Sequence, residues 1–203
     1  MQLKNALIAT AATLASAQNS STTCNDYVLI DIRGTGEAQG PSVGFTQMVN
    51  MTLAGVSGGI TYYPIYPAFF NQTFLIGSQH TVEYINNGTQ NCPDQKYAIL
   101  GYSQGASVTM GALMNLTDTS SAAYKAIEAV LVIGNPYHIP NELANVDQFG
   151  GKNTTIYKGS QLNITNYPGY PSSGIPQVYY DSGKLLDICF TVSLGAMKPS
   201  AAF

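Results

Sequence analysis

The sequence predicts an α/β protein of three layers, with helices on both faces of a central, mostly parallel sheet. Short apolar runs typical of buried strands alternate with helical segments, at spacings that suit β-α-β units. A G-x-S-x-G motif at residues 101–105 stands between one such strand and a helix of small residues. The length of 203 residues fits one domain with a sizeable core.

The strands and helices follow from apolar runs and their boundaries. Predicted strands cover residues 26–32, 58–66, 97–100 and 126–133, with a weaker candidate at 178–180. Pro64 keeps the second strand short or at an edge, because proline cannot donate to the strand ladder. Predicted helices cover the weakly amphipathic residues 78–86 and the small, apolar residues 107–114. The polar stretch 145–176 is expected to run over the surface without a domain boundary.

The first residues have the features of a secretory signal peptide. Lys4 precedes an apolar stretch at residues 6–14, and residues 15–17 form an A-x-A cleavage site. The alternative is a buried N-terminal helix. We expect residues 1–17 to be removed, residues 18–203 to form one domain, and the protein to be secreted. No other stretch approaches the ~18 apolar residues of a membrane span.

Charged residues make up only 9% of the chain, and the formal net charge is −3. Such a surface gives no reason to expect nucleic acid or an anionic membrane as a partner. N-x-[ST] sequons occur at Asn19, Asn50, Asn71, Asn87, Asn115, Asn153 and Asn163. They predict a glycosylated surface in which several sites, but not all, are used. The alternative is that Asn, Ser and Thr are simply abundant.

Ser103 is predicted to be a nucleophile at a sharp strand-to-helix turn. Gly101 and Gly105 permit this turn and let the helix pack closely, so that the serine hydroxyl stands clear of the sheet. The backbone N–H of Gln104 then points at the oxyanion that forms during acyl transfer. The alternative is an ordinary glycine-rich turn.

The polar loop at residues 31–40 follows the first predicted strand. It can bring the hydroxyl of Thr35 over the serine and complete the oxyanion hole. The alternative is a loop held by an Arg33–Glu37 pair, and both can be true. Gly34 and Gly36 lack the third glycine of a dinucleotide fingerprint, and no metal-ligand cluster is apparent. We therefore expect no cofactor and no metal.

The three cysteines are Cys24, Cys92 and Cys189. Cys24 and Cys92 each lie a few residues before a predicted strand and can be neighbours at one end of the sheet. We predict a disulfide between them, which leaves Cys189 alone.

Several segments together resemble the cutinase family of secreted esterases, which also includes acetylxylan esterases. The segments are R-G-T-G-E at 33–37, Y-P-A at 66–68, C-P at 92–93, G-Y-S-Q-G-A at 101–106 and V-I-G-N-P at 132–136. The resemblance implies a lidless α/β hydrolase with a Ser-Asp-His triad. By position, Ser103 matches the nucleophile, Thr35 and Gln104 match the oxyanion residues, and the cysteines of the predicted bridge match the first disulfide.

The implied activity is hydrolysis of carboxylic esters through an acyl-enzyme on Ser103. The implied substrates are cutin-like plant polyesters, short acyl esters or acetylated xylan, and the implied state is a monomer. The alternatives are a non-catalytic secreted glycoprotein on the same fold and a truncated gene product that lacks the triad acid and base.

The C-terminal sequence departs from the family pattern. The family has a C-x-x-x-D-x-x-C segment followed by the histidine. Cys189 matches the first cysteine, but Ser193 stands where the acid belongs and Ala196 where the second cysteine belongs. We expect the tail at residues 192–203 to be atypical, through a retained intron or an early stop, and the last helix of the family to be missing.

Substitute acids and bases are few, because His138 is the only histidine after the nucleophile. Asp187 is a weak candidate for the acid, and His138 is a weak candidate for the base. Asp181 and His80 are weaker still. A histidine at position 138 is more typical of a residue that supports a loop.

Overall fold

The structure is a computed structural model that describes residues 23–162 and 174–190. The predicted signal peptide, the tail from residue 191 and the question of a last helix lie outside the described residues. So do the sequons at Asn19 and Asn163.

One six-stranded sheet forms the centre of the molecule. Its strands are β1 (Tyr27–Ile32), β2 (Gly59–Tyr62), β3 (Lys96–Tyr102), β4 (Ile127–Ile133), β5 (Asn145–Val146) and β6 (Leu185–Ile188). The strand order is β2-β1-β3-β4-β6-β5, and every neighbouring pair is parallel. The first four predicted strands are confirmed. β2 lies at the edge of the sheet and ends before Pro64, as expected because proline has no N–H to donate to a neighbouring strand.

The described helices are α1 (Thr46–Gly55), α2 (Leu75–Asn91), α3 (Gln104–Leu113), α4 (Ala122–Ala126) and α5 (Gln177–Asp181). Both predicted helices are confirmed: α2 contains residues 78–86, and α3 covers the second predicted helix up to residue 113. All ten residues of α3 are buried, which agrees with the prediction of a helix packed against the sheet. The sequence pattern did not single out α1.

The prediction of a strand at residues 178–180 is wrong. These residues lie in α5, directly after Pro176. Tyr179 and Tyr180 are both buried, and the Tyr179 hydroxyl donates to the Leu116 carbonyl at 2.5 Å. This helical turn therefore anchors two adjacent aromatic rings, and the chain enters the sheet only at β6.

Two apolar clusters lie on opposite faces of the sheet and make the predicted three layers. The larger one joins the sheet to α2, α3, α4 and α5. The smaller one joins Leu29 and Leu100 of the sheet to α1. Phe45 caps the start of this helix, and Val49 lies in its first turn. The fold is therefore a three-layer sandwich of helices around a parallel sheet. None of the helices described is long and apolar enough to cross a membrane.

The disulfide between Cys24 and Cys92 is confirmed, with an S–S distance of 2.00 Å and a Cα–Cα distance of 5.5 Å. It ties the residues before β1 to the end of α2. Cys189 follows β6 as a half-buried free thiol.

Candidate active site

Ser103 occupies a strained turn between β3 and α3. Its backbone has φ 52° and ψ −114°, in the left-handed half of conformational space that residues with a side chain rarely adopt. Its N–H donates to the Ile133 carbonyl at 2.8 Å, and its carbonyl accepts from the N–H of Ala106 at 2.9 Å. Such strain persists only where the surroundings enforce it, and it concentrates at functional sites.

Gly101 and Gly105 are required by close backbone contacts. A Cβ on Gly105 would overlap the Ile32 carbonyl oxygen, and a Cβ on Gly101 would lie 2.7 Å from the Gly105 carbonyl oxygen. The glycines therefore let α3 approach β1 and β3, as predicted. Together with the strain at Ser103, these contacts define a sharp strand-to-helix turn, the elbow, as the sequence predicts.

Gln104 is the first residue of α3. The first four N–H groups of a helix have no partner within it, so the Gln104 N–H is available to an oxyanion at this end. The Gln104 side chain is fully buried, and its Nε2 donates to the Phe69 carbonyl at 3.0 Å. This bond ties the elbow to the chain segment that precedes α2.

Thr35 is half-buried in the loop after β1. Its Oγ1 accepts a hydrogen bond from Gln72 Nε2 at 3.1 Å, and the neighbouring Gly36 N–H donates to the Ala68 carbonyl at 2.8 Å. An amide N–H can only donate, so the Thr35 hydroxyl acts as acceptor in this contact and keeps its own hydrogen for another partner. The contact with Gln72 therefore ties the loop after β1 to the residues that precede α2.

Arg33 supports this loop, but not through the predicted pairing with the Glu37 carboxylate. Arg33 Nε donates to the Glu37 carbonyl at 2.9 Å, and its guanidinium stacks on the Tyr66 ring at 4.6 Å. The Glu37 carboxylate instead accepts from the backbone N–H groups of Gly34 and Val43. The carboxylate binds these backbone N–H groups, and not Arg33, because the tight turn brings them within hydrogen-bond distance.

Asp31 is buried in β1, under the same loop. Its Oδ2 accepts from the Ser42 N–H at 3.0 Å, and the side chain is 1% exposed. Burial raises its pKa to about 6, an effect that the Ser42 hydrogen bond opposes and the nearby Glu37 charge reinforces. The folded protein therefore binds this proton more tightly than the unfolded chain.

We expect this proton to make stability depend on pH. The Asp31 contribution to the free energy of unfolding is greatest below about pH 4 and is lost as pH rises to about 6, an effect of about 3 kcal/mol. Asp31→Asn should remove this dependence. Thermal unfolding of both proteins between these pH values measures it. Parallel pH profiles for wild type and variant would contradict the assignment.

Two aromatic side chains stand exposed beside the elbow. Phe69 is 63% and Phe70 is 78% exposed. They lie between Ala68 and Gln72, which both have positive φ, at 52° and 58°. Two left-handed residues within five positions form a strained turn that displays the rings at the surface.

His138 and Asp187 form a buried pair. His138 Nδ1 lies 3.0 Å from Asp187 Oδ2, in close contact without hydrogen-bond geometry, and the side chains are 3% and 0% exposed. Asn135 Nδ2 donates to the same carboxylate oxygen at 2.8 Å. In the described part of the chain, no hydrogen bond joins His138 Nε2 to the Ser103 hydroxyl.

The two weaker candidates lie elsewhere. Asp181 is exposed in α5 and accepts from Gln177, while His80 is half-buried in α2. The structure thus brings the weak acid and base candidates, Asp187 and His138, into contact with each other.

Gln72 and the Phe69 carbonyl, which the sequence pattern did not single out, hold Thr35 and Gln104 in place. The only signal for them was a pair of polar residues after an aromatic run. Among the residues described, no group of three potential metal-ligating side chains is found.

Comparison with known proteins gives a consistent family. The family model described as Cutinase matches residues 23–170. A protein named Cutinase from Hypocrea jecorina (strain QM6a) is 31% identical over 149 residues, which are 68% of this chain and 57% of that protein. A Cutinase from Botryotinia fuckeliana is 30% identical over 144 residues, 66% of this chain and 70% of that protein. The chain thus spans a little over half the length of its Hypocrea relative.

Solved structures agree with the fold. A structure titled "A novel cutinase-like protein from Cryptococcus sp." has a TM-score of 0.74 and 38% identity, covering 83% of this chain and 78% of that one. The catalytic core domain of acetyl xylan esterase from Trichoderma reesei has a TM-score of 0.60 at 20% identity, covering 83% and 84%, and shows the fold alone. The chain described here belongs to the cutinase family.

Proposed function

We propose that this protein is a secreted carboxylic-ester hydrolase in which Ser103 is the nucleophile. The observation that carries the proposal is the strained backbone of Ser103 at the start of α3. Gln104 follows it directly, and the segment around Phe69 and Gln72 links Gln104 to Thr35 through two hydrogen bonds. These groups supply a nucleophile and two oxyanion donors, which is the machinery of acyl transfer.

The reaction has two halves. Ser103 Oγ attacks the ester carbonyl carbon and loses its proton to a base, and the carbonyl oxygen becomes an oxyanion held by the Gln104 N–H and the Thr35 hydroxyl. The oxyanion collapses, the C–O bond to the alcohol breaks, and the alcohol leaves with that proton. Water then attacks the acyl-enzyme and releases the acid and free Ser103.

The substrate that the surface favours is an ester with an apolar acyl or polyester chain. Phe69 and Phe70 are exposed next to the residues that would hold the oxyanion. Aromatic rings bury a large apolar area against aliphatic chains. Plant polyesters and short acyl esters present such chains, whereas acetylated xylan presents a polar sugar backbone. We therefore rank polyesters and short acyl esters first.

A second candidate is a non-catalytic secreted glycoprotein that binds surfaces through the same rings. It is favoured by the buried position of His138, whose Nε2 makes no hydrogen bond to the Ser103 hydroxyl in the described residues. A serine without a base is a weak nucleophile.

Hydrolysis of a soluble short-chain nitrophenyl ester by the purified protein separates the two candidates. The proposed function requires saturable hydrolysis above the rate of buffer alone. A folded protein that shows no hydrolysis of this ester, or of a dispersed polyester, would leave only the binding function.

Replacement of the Thr35 hydroxyl tests the oxyanion hole. We expect Thr35→Val to lower kcat about 10²–10³-fold, because one donor to the oxyanion is lost. Thr35→Ser keeps a hydroxyl and is the matched control, with a kcat near that of wild type. Steady-state kinetics with the nitrophenyl ester measure both. Equal loss in the two variants would show that the hydroxyl is not the cause.

A further inference from the structure

The sequons in the described residues differ in where the asparagine lies and in whether its side-chain Nδ2 donates a hydrogen bond. Asn50 and Asn87 lie within α1 and α2. Asn115 and Asn153 donate Nδ2 hydrogens to neighbouring oxygens at 2.9 and 3.0 Å. Asn71 is exposed and lies in the turn that leads into α2. Among the described sequons, Asn71 therefore combines two features. It lies outside a helix, and its Nδ2 donates to neither a carbonyl nor a carboxylate.

The side chain of Asn71 is set up to carry a sugar. Its Oδ1 accepts from the Thr73 hydroxyl at 3.2 Å, within the sequon itself. Among the described residues, no hydrogen bond from Asn71 Nδ2 is found. An N-linked glycan is attached through Nδ2, so the folded chain can accommodate it here without breaking a contact.

We propose that Asn71 carries an N-linked glycan at the rim of the candidate active site, and that this glycan limits adsorption of Phe69 and Phe70 onto apolar surfaces. The inference rests on the proposed function only in that it assumes passage through a secretory pathway and a site that meets apolar esters.

The position of the glycan follows from the bonds of the surrounding segment. Phe69 accepts from Gln104 through its carbonyl, and Gln72 donates to Thr35. Asn71 lies between these two anchors, next to Phe70. The attachment point of the glycan is therefore held at the rim, because the residues on both sides of Asn71 are hydrogen-bonded to Gln104 and Thr35.

The effect of the glycan follows from hydration and bulk. Adsorption onto a polymer requires both rings to leave water, and the burial of their apolar area is what favours it. A hydrated oligosaccharide beside Phe70 keeps a flat surface at a distance, whereas a small soluble ester can pass it. The glycan thus shifts preference away from insoluble polymers and towards small esters.

The test uses the full chain secreted from a eukaryotic host. Occupancy at Asn71 is measured by peptide mass spectrometry after enzymatic deglycosylation in heavy-oxygen water. Adsorption is measured by co-sedimentation with polyester particles. Wild type is compared with Asn71→Gln, with wild type deglycosylated after folding, and with Asn50→Gln, a control that removes a sequon on α1 instead.

We expect Asn71 to be glycosylated, and both glycan-free forms at this position to adsorb several-fold more strongly than wild type, while Asn50→Gln adsorbs like wild type. An unmodified Asn71, or equal adsorption with and without its glycan, would overturn the proposal. Lack of ester hydrolysis in every form would count against the proposed function alone, because occupancy and adsorption are measured without catalysis.

Discussion

Ser103→Ala is expected to abolish ester hydrolysis above the background that binding and the oxyanion donors sustain. Removing the nucleophile of a serine hydrolase lowers kcat by about 10⁶, with a residual acceleration of 10³–10⁴ over water. Wild-type protein should also form a covalent adduct with a fluorophosphonate probe at Ser103, whereas the variant should not. Nitrophenyl ester kinetics and mass spectrometry of the labelled peptide measure the two effects.

Ser107 is the matched control for this variant. It is a buried serine in α3, so its hydroxyl is not presented to substrate. Ser107→Ala should keep both hydrolysis and labelling. A wild-type protein that is folded and hydrolyses the ester but carries the probe on another residue would refute Ser103 as nucleophile.

Asp187→Leu is expected to lower the free energy of unfolding by about 1–3 kcal/mol, because it leaves buried polar atoms of Asn135 and His138 without their partner. The Asp187 carboxylate lies 3.0 Å from His138 Nδ1 and also accepts from Asn135, and it is completely buried. Chemical denaturation of wild type and variant measures the difference. We expect the pair to act mainly as a clamp that holds the chain after β4 against β6.

An exposed ion pair in the same sheet provides the control. Lys96 and Glu128 lie 3.1 Å apart, with side chains 49% and 56% exposed. Glu128→Gln should change stability by about 0–1 kcal/mol, because water screens this pair. Similar losses in the two variants would show that burial is not the cause.

His138→Gln distinguishes a structural role of this pair from a catalytic one. If His138 only holds the two chain segments together, the variant loses stability, but its folded fraction still reacts with the fluorophosphonate. A variant that stays folded and no longer reacts with the probe would identify His138 as the base that activates Ser103, with Asp187 as its orienting acid.

Local patterns identified most of the fold. Each of the first four strands is a short apolar run bounded by glycine or proline, and burial in a parallel sheet selects such runs. The pattern failed at residues 178–180, where two buried tyrosines look the same in a strand and in one turn of helix. It also failed to single out α1, which buries only Val49 fully and so has little periodicity.

The candidate site shows the same division. The G-x-S-x-G spacing predicts the elbow because its glycines are required by close contacts within one strand-turn-helix unit and with the strand beside it. Gln72 lies 37 residues from Thr35, and Phe69 lies 35 residues from Gln104. No local pattern encodes such bonds, since they depend on how β2 and the following loop return to the sheet.

The sequence by itself determined the α/β class, the place of Ser103 and the Cys24–Cys92 bridge, because short-range spacing and chain order carry this information. Only the tertiary structure decided that Asp187 meets His138, that Arg33 binds a carbonyl rather than the Glu37 carboxylate, and that two phenylalanines stand beside the elbow. These contacts join segments distant in sequence or depend on the path of a tight turn. Their partners are selected by burial and by the need to satisfy polar groups, which appear only once the chain is folded.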